Sequence, residues 1–247
     1  MLDMLNIKKL SVKIESEDSY AENLRVLRLR LPENSGFSFV PGQFVMLSVP
    51  GLIDKNGRPV AKSYSIASSP LDNSIVELCI VKYESGMLSP HVFKAQIGDD
   101  LTITGPYGIF QLKRTVAPGT VFVAGGTGIA PLISMLRFLY KEGYKDKLWL
   151  FYSVSEPSMF LFKDELLRYS KNNDLQLVVS TSNHGSDWQW DTGRVTDTLP
   201  KYIGQLNGVS KELQQFYVCG PPVMVADTVK MLVELGFKKE NIHKEQW

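Results

Sequence analysis

The stretch Val121–Phe122–Val123–Ala124–Gly125–Gly126–Thr127–Gly128–Ile129–Ala130–Pro131 decides the fold of the second half of the chain. An apolar run leads directly into a glycine-rich turn and then into the helical pattern PLISMLRFLYKEGY, which is typical of a buried strand followed by a crossover helix. Glycines let the backbone approach a ligand closely, and the exposed amides at a helix start suit a pyrophosphate. The turn has Pro131 where the G-x-G-x-x-G fingerprint has its third glycine, so a tight turn without a ligand is the alternative interpretation.

The alternation of strand and helix continues toward the C-terminus. The strand-like runs KLWLFYSV, LQLVVST and QFYVCGPP alternate with the helical stretches SMFLFKDELLRYSKNN and MVADTVKMLVELGF. This order predicts a parallel sheet with covering helices, and the carboxyl ends of its strands are where such sheets hold ligands. The last of these strands ends in YVCGPPVM, so we expect Cys219 to be a site residue, the alternative being a small buried apolar residue.

The first half of the chain has a different pattern. From Lys8 to about Leu112, short runs rich in β-branched, leucine and aromatic residues are separated by turn residues, and only Leu88 to Gln96 suggests a short helix. This pattern predicts a closed antiparallel barrel of about six strands, built from the runs VKIES, LRVLRLRL, GQFVMLSV, SYSIAS, SIVELCIVKY and DDLTITGP. The two patterns meet in LKRTVAPG, residues 112–119, and we place the domains at residues 1–114 and 115–247.

Two segments of the barrel half combine residues that suit a phosphate ligand. In the run KSYSIASSP, alternation sends Lys62 and Tyr64 to one face of a strand and Ser63 and Ser65 to the other. The segment ESGMLSP, residues 84–90, places a glycine and a hydroxyl at the entry to the short helix. A serine-rich edge strand without a ligand is the alternative for the first segment.

Composition excludes several classes of function. The 27 lysine and arginine residues nearly balance the 26 aspartate and glutamate residues, so nothing in the net charge of +1 favours nucleic acid or an anionic membrane as partner. Two cysteines are too few for a disulfide framework or a protein-bound iron–sulfur cluster, and we predict no metal site. No run approaches the ~20 apolar residues of a membrane span, and the opening MLDMLNIKKL lacks a signal-sequence pattern, so we expect a cytoplasmic protein.

These motifs, taken in order, resemble the ferredoxin–NADP reductase superfamily of FAD- and NAD(P)-binding reductases. The resemblance covers almost the whole chain and rests on KSYSIASSP, GMLSP, GPYGIF, AGGTGIAP, VCGPPVM and the C-terminal HKEQW. It implies an FAD-binding barrel followed by an NAD(P)-binding α/β domain. It also implies hydride transfer from a reduced nicotinamide nucleotide to FAD, with electrons passing on to a partner.

The resemblance implies that the barrel motifs bind FAD. In the family pattern Arg-x-Tyr-Ser, the arginine binds the pyrophosphate, the tyrosine lies against the isoalloxazine and the serine lies near flavin N5, which corresponds to Lys62, Tyr64 and Ser65, with Ser63 between them. Lysine keeps the charge but loses the bidentate fork of arginine, and Arg58 could substitute for it. The family segment that contacts the flavin diphosphate corresponds to Gly86, Met87, Leu88 and Ser89.

The resemblance assigns the nucleotide to two turns of the second half. Gly126, Thr127 and Gly128, followed by Pro131, match the turn for the nucleotide pyrophosphate and nicotinamide. The wall beside the nicotinamide corresponds to Cys219, Gly220, Pro221 and Met224. Glu245 and Trp247 resemble the family's C-terminal acid and flavin-covering aromatic, for which a frayed tail is the alternative. The residues expected around hydride transfer, acting by orientation and electrostatics, are therefore Ser65, Cys219, Glu245 and Trp247.

The electron donor and the acceptor remain open between alternatives. Relatives selective for NADPH place an arginine after the serine that corresponds to Ser180, whereas Thr181 follows here and no lysine or arginine occurs in residues 173–193. We therefore expect NADH to be preferred over NADPH. The acceptor we favour is a separate redox protein such as ferredoxin or an oxygenase component. The alternatives are a flavin reductase that uses free flavin as substrate and a dependent electron-transfer component of a larger complex.

Overall fold

A computed structural model describes residues 7–172, 175–206 and 210–247. The chain divides into two compact units. The first extends to Leu112 and includes Ile133–Leu139, and the second comprises Lys113–Leu132 and Tyr140–Trp247. Residues 1–6, on which part of the signal-sequence prediction rests, and Asn173, the last residue of a predicted helix, lie outside the described residues.

The first unit is built on a six-stranded antiparallel sheet. Its strands follow the order β4-β3-β6-β1-β2-β5, and they are β1 Lys8–Ala21, β2 Leu24–Arg30, β3 Phe44–Ile53, β4 Pro59–Ser65, β5 Ile75–Val81 and β6 Asp100–Tyr107. The inward side chains form one core of valine, leucine and isoleucine, in which Val45, Leu47 and Leu78 are fully buried. Burial of such side chains stabilises the sheet by about 25 cal/mol per Å² of apolar surface.

The two edge strands of this sheet, β4 and β5, meet beyond the end of β4. Ile66 forms a bridge with Leu78, and the Ala67 N–H donates to the Glu77 carbonyl oxygen at 2.8 Å. These contacts close the sheet on itself, and a closed sheet leaves few exposed strand edges. The predicted six-stranded antiparallel barrel is confirmed.

Two boundaries in this unit differ from the sequence prediction. The strand expected to begin at Ser63 begins at Pro59, because Asp54 accepts the N–H groups of Asn56 and Arg58 and closes the preceding turn. It ends at Ser65 because Ile66 pairs with β5 instead of β3. The helix expected over Leu88 to Gln96 is only the single turn α1, Ser89–Val92, since Gln96 and Asp99 bond to each other in a turn.

The second unit contains a parallel sheet with the strand order β10-β9-β8-β7-β11-β12. The strands are β7 Val121–Gly125, β8 Leu148–Val154, β9 Leu175–Thr181, β10 Asp191–Thr192, β11 Phe216–Gly220 and β12 Ile242–Gln246. The helices are α2 Ile129–Lys141, α3 Lys163–Lys171, α4 Val195–Tyr202 and α5 Pro222–Glu234. Every strand pairing in this sheet is parallel, so the predicted α/β unit with a parallel sheet is confirmed.

The central strands of the parallel sheet are buried on both faces. All five residues of β7 and all five of β11 are buried, as expected for a parallel sheet with helices on both sides. Phe122 stacks on Tyr217 across the two strands, with ring centroids 5.5 Å apart. In the described part of the chain, no helix has both the length and the apolar character needed to cross a membrane.

Candidate functional site

The barrel motif KSYS lies on β4, an edge strand of the antiparallel sheet. Tyr64 pairs with Val45 and Lys62 pairs with Leu47, and side chains of paired residues share a face of the sheet. Tyr64 and Lys62 therefore lie on the same face of the sheet as their partners, where Tyr64 is half-buried and Lys62 is exposed. Ser63 and Ser65 lie on the other face. The alternation read from the sequence agrees with this register.

Tyr64 is held as a neutral phenol. Burial, with a smaller contribution from Tyr83, raises the pKa of Tyr64 to about 12. Its ring is half-buried and packs against the barrel core. A neutral phenol can donate as well as accept a hydrogen bond, which suits a polar ligand with an apolar ring.

The second barrel motif forms a tight turn ahead of α1. The Gly86 N–H donates to the Tyr83 carbonyl oxygen at 2.8 Å, and a Cβ at this glycine would lie 2.9 Å from the same oxygen. The Ser89 hydroxyl accepts the Tyr83 N–H at 3.0 Å, so this hydroxyl helps to close the turn. Met87 is exposed and Leu88 is buried. Leu88 thus packs in the barrel core and Ser89 closes the turn, and the assignment of these four residues to the flavin diphosphate stays a prediction.

The first unit fits an anionic dinucleotide beside β4. Within the described residues, the outer edge of β4 has no strand partner until Ile66 meets β5, so this edge leaves room for a ligand. The Lys62 and Arg58 side chains are exposed, and neither forms an ion pair with another described residue. Two cationic side chains without an ion pair to another described residue, next to an open strand edge, can neutralise a pyrophosphate.

In the second unit, the two glycine-containing turns pack directly against each other at the carboxyl end of the parallel sheet. Gly126 and Gly128 bound a single 3₁₀ turn between β7 and α2, and Gly126 has φ +53°. A Cβ at Gly128 would clash with the Cys219 carbonyl oxygen, and a Cβ at Gly125 would clash with the Met224 sulfur. Gly128 is needed because it lies against the Cys219 backbone, and Gly125 leaves space for the Met224 side chain. Helix α2 begins directly after this turn.

The strand register also brings the predicted acid to the predicted cysteine. Glu245 pairs with Cys219 on the neighbouring strands β12 and β11, and Gln246 pairs with Gly220. Cys219 is fully buried, and this burial, followed by the negative charge of Glu245, raises the pKa of its thiol well above the ordinary value. The thiol therefore stays protonated at neutral pH and is not a nucleophile.

The remaining predicted residues differ in exposure. Trp247 directly follows β12 and is 50% exposed, so its ring is available to a ligand. Thr127 is half-buried and Pro221 is exposed next to the same turns. Pro131 is buried within the first turn of α2, where it supports the helix start. Among the described residues, no cluster of three or more His, Cys, Asp or Glu side chains is placed to hold a metal ion.

The structure reveals a cation that the sequence reasoning missed at the end of β9. The Gly193 N–H donates to the Thr181 carbonyl oxygen at 3.0 Å, so the exposed Arg194 lies just beyond the end of β9, one residue after Ser180. Thr181 itself is buried, and its hydroxyl donates to the Ser155 carbonyl oxygen at 3.1 Å. The stretch without lysine or arginine ends at Gly193, one residue short of this arginine.

Trp188 and Trp190 pack against each other beside the same strand. Their ring centroids are 4.9 Å apart, and the Trp188 indole donates to the Asp191 carbonyl oxygen at 2.8 Å. Trp190 borders a cavity of about 420 Å³ within the second unit. The cavity is also lined by Trp149, Gln176, Val178, Asp191 and Tyr202.

Comparison with known proteins agrees with these two units. Residues 11–112 match the family model described as an oxidoreductase FAD-binding domain, and residues 122–230 match the one described as an oxidoreductase NAD-binding domain. Ferredoxin–NADP reductase B of Sorangium cellulosum is 29% identical over 228 residues, which cover 91% of each chain. A component of the Na(+)-translocating NADH-quinone reductase of Idiomarina loihiensis is 28% identical over 97% of this chain and 68% of its own.

A solved structure supports the same conclusion. The ferredoxin NADP+ reductase of Neisseria gonorrhoeae, crystallised with FAD and NADP, superposes with a TM-score of 0.83 at 25% identity, covering 97% of this chain and 98% of its own. The fold and the two matched domains define a flavin- and nicotinamide-dependent oxidoreductase. The chain belongs to the ferredoxin–NADP reductase superfamily, as the sequence motifs predicted.

Proposed function

We propose that this protein oxidises NADH, passes the hydride to FAD bound on the barrel, and delivers the electrons to a separate redox protein. The observation that carries the proposal is the pair of touching turns in the second unit, because an added Cβ would meet the Cys219 carbonyl oxygen at Gly128 and the Met224 sulfur at Gly125. The open edge of β4 supports it from the first unit. FAD, when bound, supplies a carrier that takes two electrons together and releases them singly.

In this proposal the barrel residues bind FAD and orient its ring. Lys62, with Arg58 as a second cation, neutralises the pyrophosphate, while the Tyr64 ring packs against the flavin and its neutral hydroxyl donates a hydrogen bond. Ser65 supplies a hydroxyl near flavin N5. Exposed Met87 and the tight turn at Gly86 line the diphosphate.

The residues of the second unit position the nicotinamide nucleotide. The backbone at Gly126, Thr127 and Gly128 receives the pyrophosphate at the start of α2. Cys219 stays a neutral thiol and forms part of the surface beside the nicotinamide, and Glu245 contributes a negative charge next to it. Trp247 shields the reacting ring from water. The proposal needs no proton transfer by a side chain, because hydride transfer depends on orientation and electrostatics.

The preference for NADH or NADPH depends on the residues at the end of β9. The names of the two relatives point to different nucleotides, since one contains NADP and the other NADH. Thr181 is buried and internally bonded, so the position that carries arginine in NADPH-selective relatives offers nothing to a 2′-phosphate. NADH is therefore the preferred donor, and Arg194 is the cation on which any use of NADPH depends. Arg194→Ala should lower kcat/KM for NADPH and leave kcat/KM for NADH unchanged.

The electron acceptor we favour is a small redox protein. The name of one relative contains ferredoxin and that of the other contains quinone, and the chain spans 68% of the length of the second. Anaerobic mixing of the FAD-loaded protein with NADH, followed by a screen of ferredoxins and artificial acceptors, tests the proposal. Full activity on added free flavin, with no flavin retained after desalting, would support a flavin reductase instead. A flavin-loaded chain that NADH does not reduce would indicate a dependent component of a larger complex.

A further inference from the structure

One buried charge cluster in the first unit lies outside every motif recognised in the sequence. Glu77 on β5 has only 5% of its side chain exposed. Arg137 approaches one carboxylate oxygen at 2.6 Å, and Arg28 approaches the other at 2.9 Å. Arg137 belongs to Ile133–Leu139, the part of α2 that is included in the first unit.

The cluster forms hydrogen bonds with the backbone directly after the KSYS motif. The same Arg137 nitrogen that pairs with Glu77 donates to the Ala67 carbonyl oxygen at 2.8 Å. The Ser134 hydroxyl, one turn earlier on α2, donates to the Ser68 carbonyl oxygen at 2.7 Å. The Glu77 backbone also hydrogen-bonds to Ala67 and Ser68. Its N–H donates to the Ser68 hydroxyl at 3.2 Å, and its carbonyl oxygen accepts the Ala67 N–H.

Three consecutive residues after the KSYS motif have backbone groups fixed by hydrogen bonds, two of them by this cluster. Ile66 donates its N–H to the Gln43 carbonyl oxygen at 2.9 Å, and Ala67 and Ser68 are held as described. Ser65 directly precedes this fixed segment, and one peptide unit spans only about 3.8 Å. A fixed backbone at Ile66 therefore limits where the Ser65 and Tyr64 side chains can lie.

A gain in folding stability does not by itself explain why Glu77 and Arg137 form a buried ion pair beside Ala67. Replacing a buried ion pair by apolar side chains of similar volume is often neutral or stabilising. An apolar side chain at position 137 could not donate to the Ala67 carbonyl oxygen. The arginine thus supplies a directional contact, and functional groups need supporting contacts that hold them to within about 0.5 Å.

We propose that Arg137, held by Glu77, is a positioning residue for the flavin-binding strand end. It acts through Ala67 to fix Ser65 and Tyr64 against the flavin, and Ser134 supports it through Ser68. This inference rests on the proposed placement of FAD beside KSYS.

The test compares two arginines that share one carboxylate. Arg137→Gln removes the contact to Ala67 as well as the cation. Arg28→Gln removes a cation from both Glu77 and Asp18 and leaves Ala67 untouched. Flavin fluorescence gives the FAD dissociation constant, the absorption spectrum of the bound flavin reports its surroundings, and stopped flow gives the rate of reduction by NADH. Chemical denaturation of each variant in the same excess of FAD measures stability, after the contribution of FAD binding is subtracted using the measured dissociation constant.

Arg137→Gln should weaken FAD binding about tenfold or more, because the strand end beside Ser65 and Tyr64 loses a charge-assisted hydrogen bond. It should also shift the flavin spectrum and slow flavin reduction without raising KM for NADH. Arg28→Gln should lower the denaturation midpoint while the FAD constant stays within about twofold of wild type. Arg137→Lys, which keeps the charge and a donor, should recover part of the loss.

Two outcomes would overturn the inference. One is an equal effect of Arg137→Gln and Arg28→Gln on FAD affinity and spectrum, which would make Arg137 purely structural. The other is an unchanged spectrum, FAD constant and reduction rate in Arg137→Gln. If the wild-type protein binds FAD and accepts electrons from NADH, either of these results leaves the proposed function intact. A wild-type protein that fails to bind FAD would instead contradict the proposed function itself.

Discussion

The two units hold their ligand-binding segments by different physical means. In the second unit, the turns at Gly128 and Cys219 are held by steric contact between backbones, with no room for a Cβ. In the first unit, the segment from Ile66 to Ser68 is held by hydrogen bonds and by the buried charges of Glu77 and Arg137. The first arrangement tolerates no larger residue, and the second tolerates no loss of charge.

The largest effect is expected where a buried charge loses its partner. Glu77→Gln removes the counter-charge of the largely buried Arg137, while Arg28 keeps its second partner Asp18, and breaking a buried ion pair typically costs about 3–5 kcal/mol. We expect a loss of this size in the free energy of unfolding, measured by chemical denaturation. Asp100→Asn breaks the exposed pair with Lys13 and is the matched control. Equal losses in the two variants would contradict the account.

A somewhat smaller effect is expected where a Cβ is added between backbones. Gly128→Ala would place a methyl group against the Cys219 carbonyl oxygen, and overpacking typically costs about 1–3 kcal/mol. NADH affinity should fall together with stability, because the two turns must move apart. Gly204→Ala, where an added Cβ meets nothing within 4 Å, is the control and should leave the NADH dissociation constant unchanged. A Gly128→Ala variant with wild-type affinity would refute the close approach.

The contrast shows how much of the molecule the sequence could predict. The barrel, the parallel sheet and both glycine turns were predictable, because strand periodicity and glycines in a strand-to-helix turn are local signals. Arg137 was not, because its partners Ala67 and Glu77 are 70 and 60 residues away in sequence. Arg194 was missed for a related reason, since only the pairing of β10 with β9 brings it beside Thr181. Long-range contacts of charged side chains have no periodic pattern in the sequence.

Alkaline pH should reduce stability through groups in both units. Burial raises the pKa of the Cys219 thiol well above its ordinary 9.0 and that of Tyr64 to about 12. Because these pKa values are higher in the folded protein than in the unfolded chain, their contribution is complete below the unfolded pKa and is lost as pH rises through the folded pKa. The unfolding free energy should therefore fall above about pH 9 through Cys219 and above about pH 10 through Tyr64, by about 1.4 kcal/mol per pH unit for each group.

Denaturation midpoints at pH 8 to 11 measure this dependence. Cys219→Ser removes one titrating group, so its midpoint should fall less steeply with pH than that of wild type. Identical slopes in the two proteins would mean that the thiol does not titrate in this range. Tyr64→Phe gives the corresponding comparison for the barrel.

The smallest effect on stability is expected from Trp247, which is half-exposed after β12. Deleting Trp247 should change the free energy of unfolding by less than about 0.5 kcal/mol, as for most surface changes. The affinity for NADH should nevertheless change several-fold, because a large ring is removed from the proposed nucleotide site. Trp247→Phe should restore part of the wild-type affinity. Unchanged binding of NADH to the truncated protein would exclude Trp247 from the site.

The central claim is that the chain binds FAD and passes electrons from NADH to it. The most direct measurement is anaerobic stopped-flow absorbance of the desalted, FAD-loaded protein mixed with NADH and, separately, with NADPH. We predict that the visible absorbance of the bound flavin bleaches within one turnover, faster with NADH than with NADPH. Flavin that stays bound but is bleached by neither nucleotide would contradict the account.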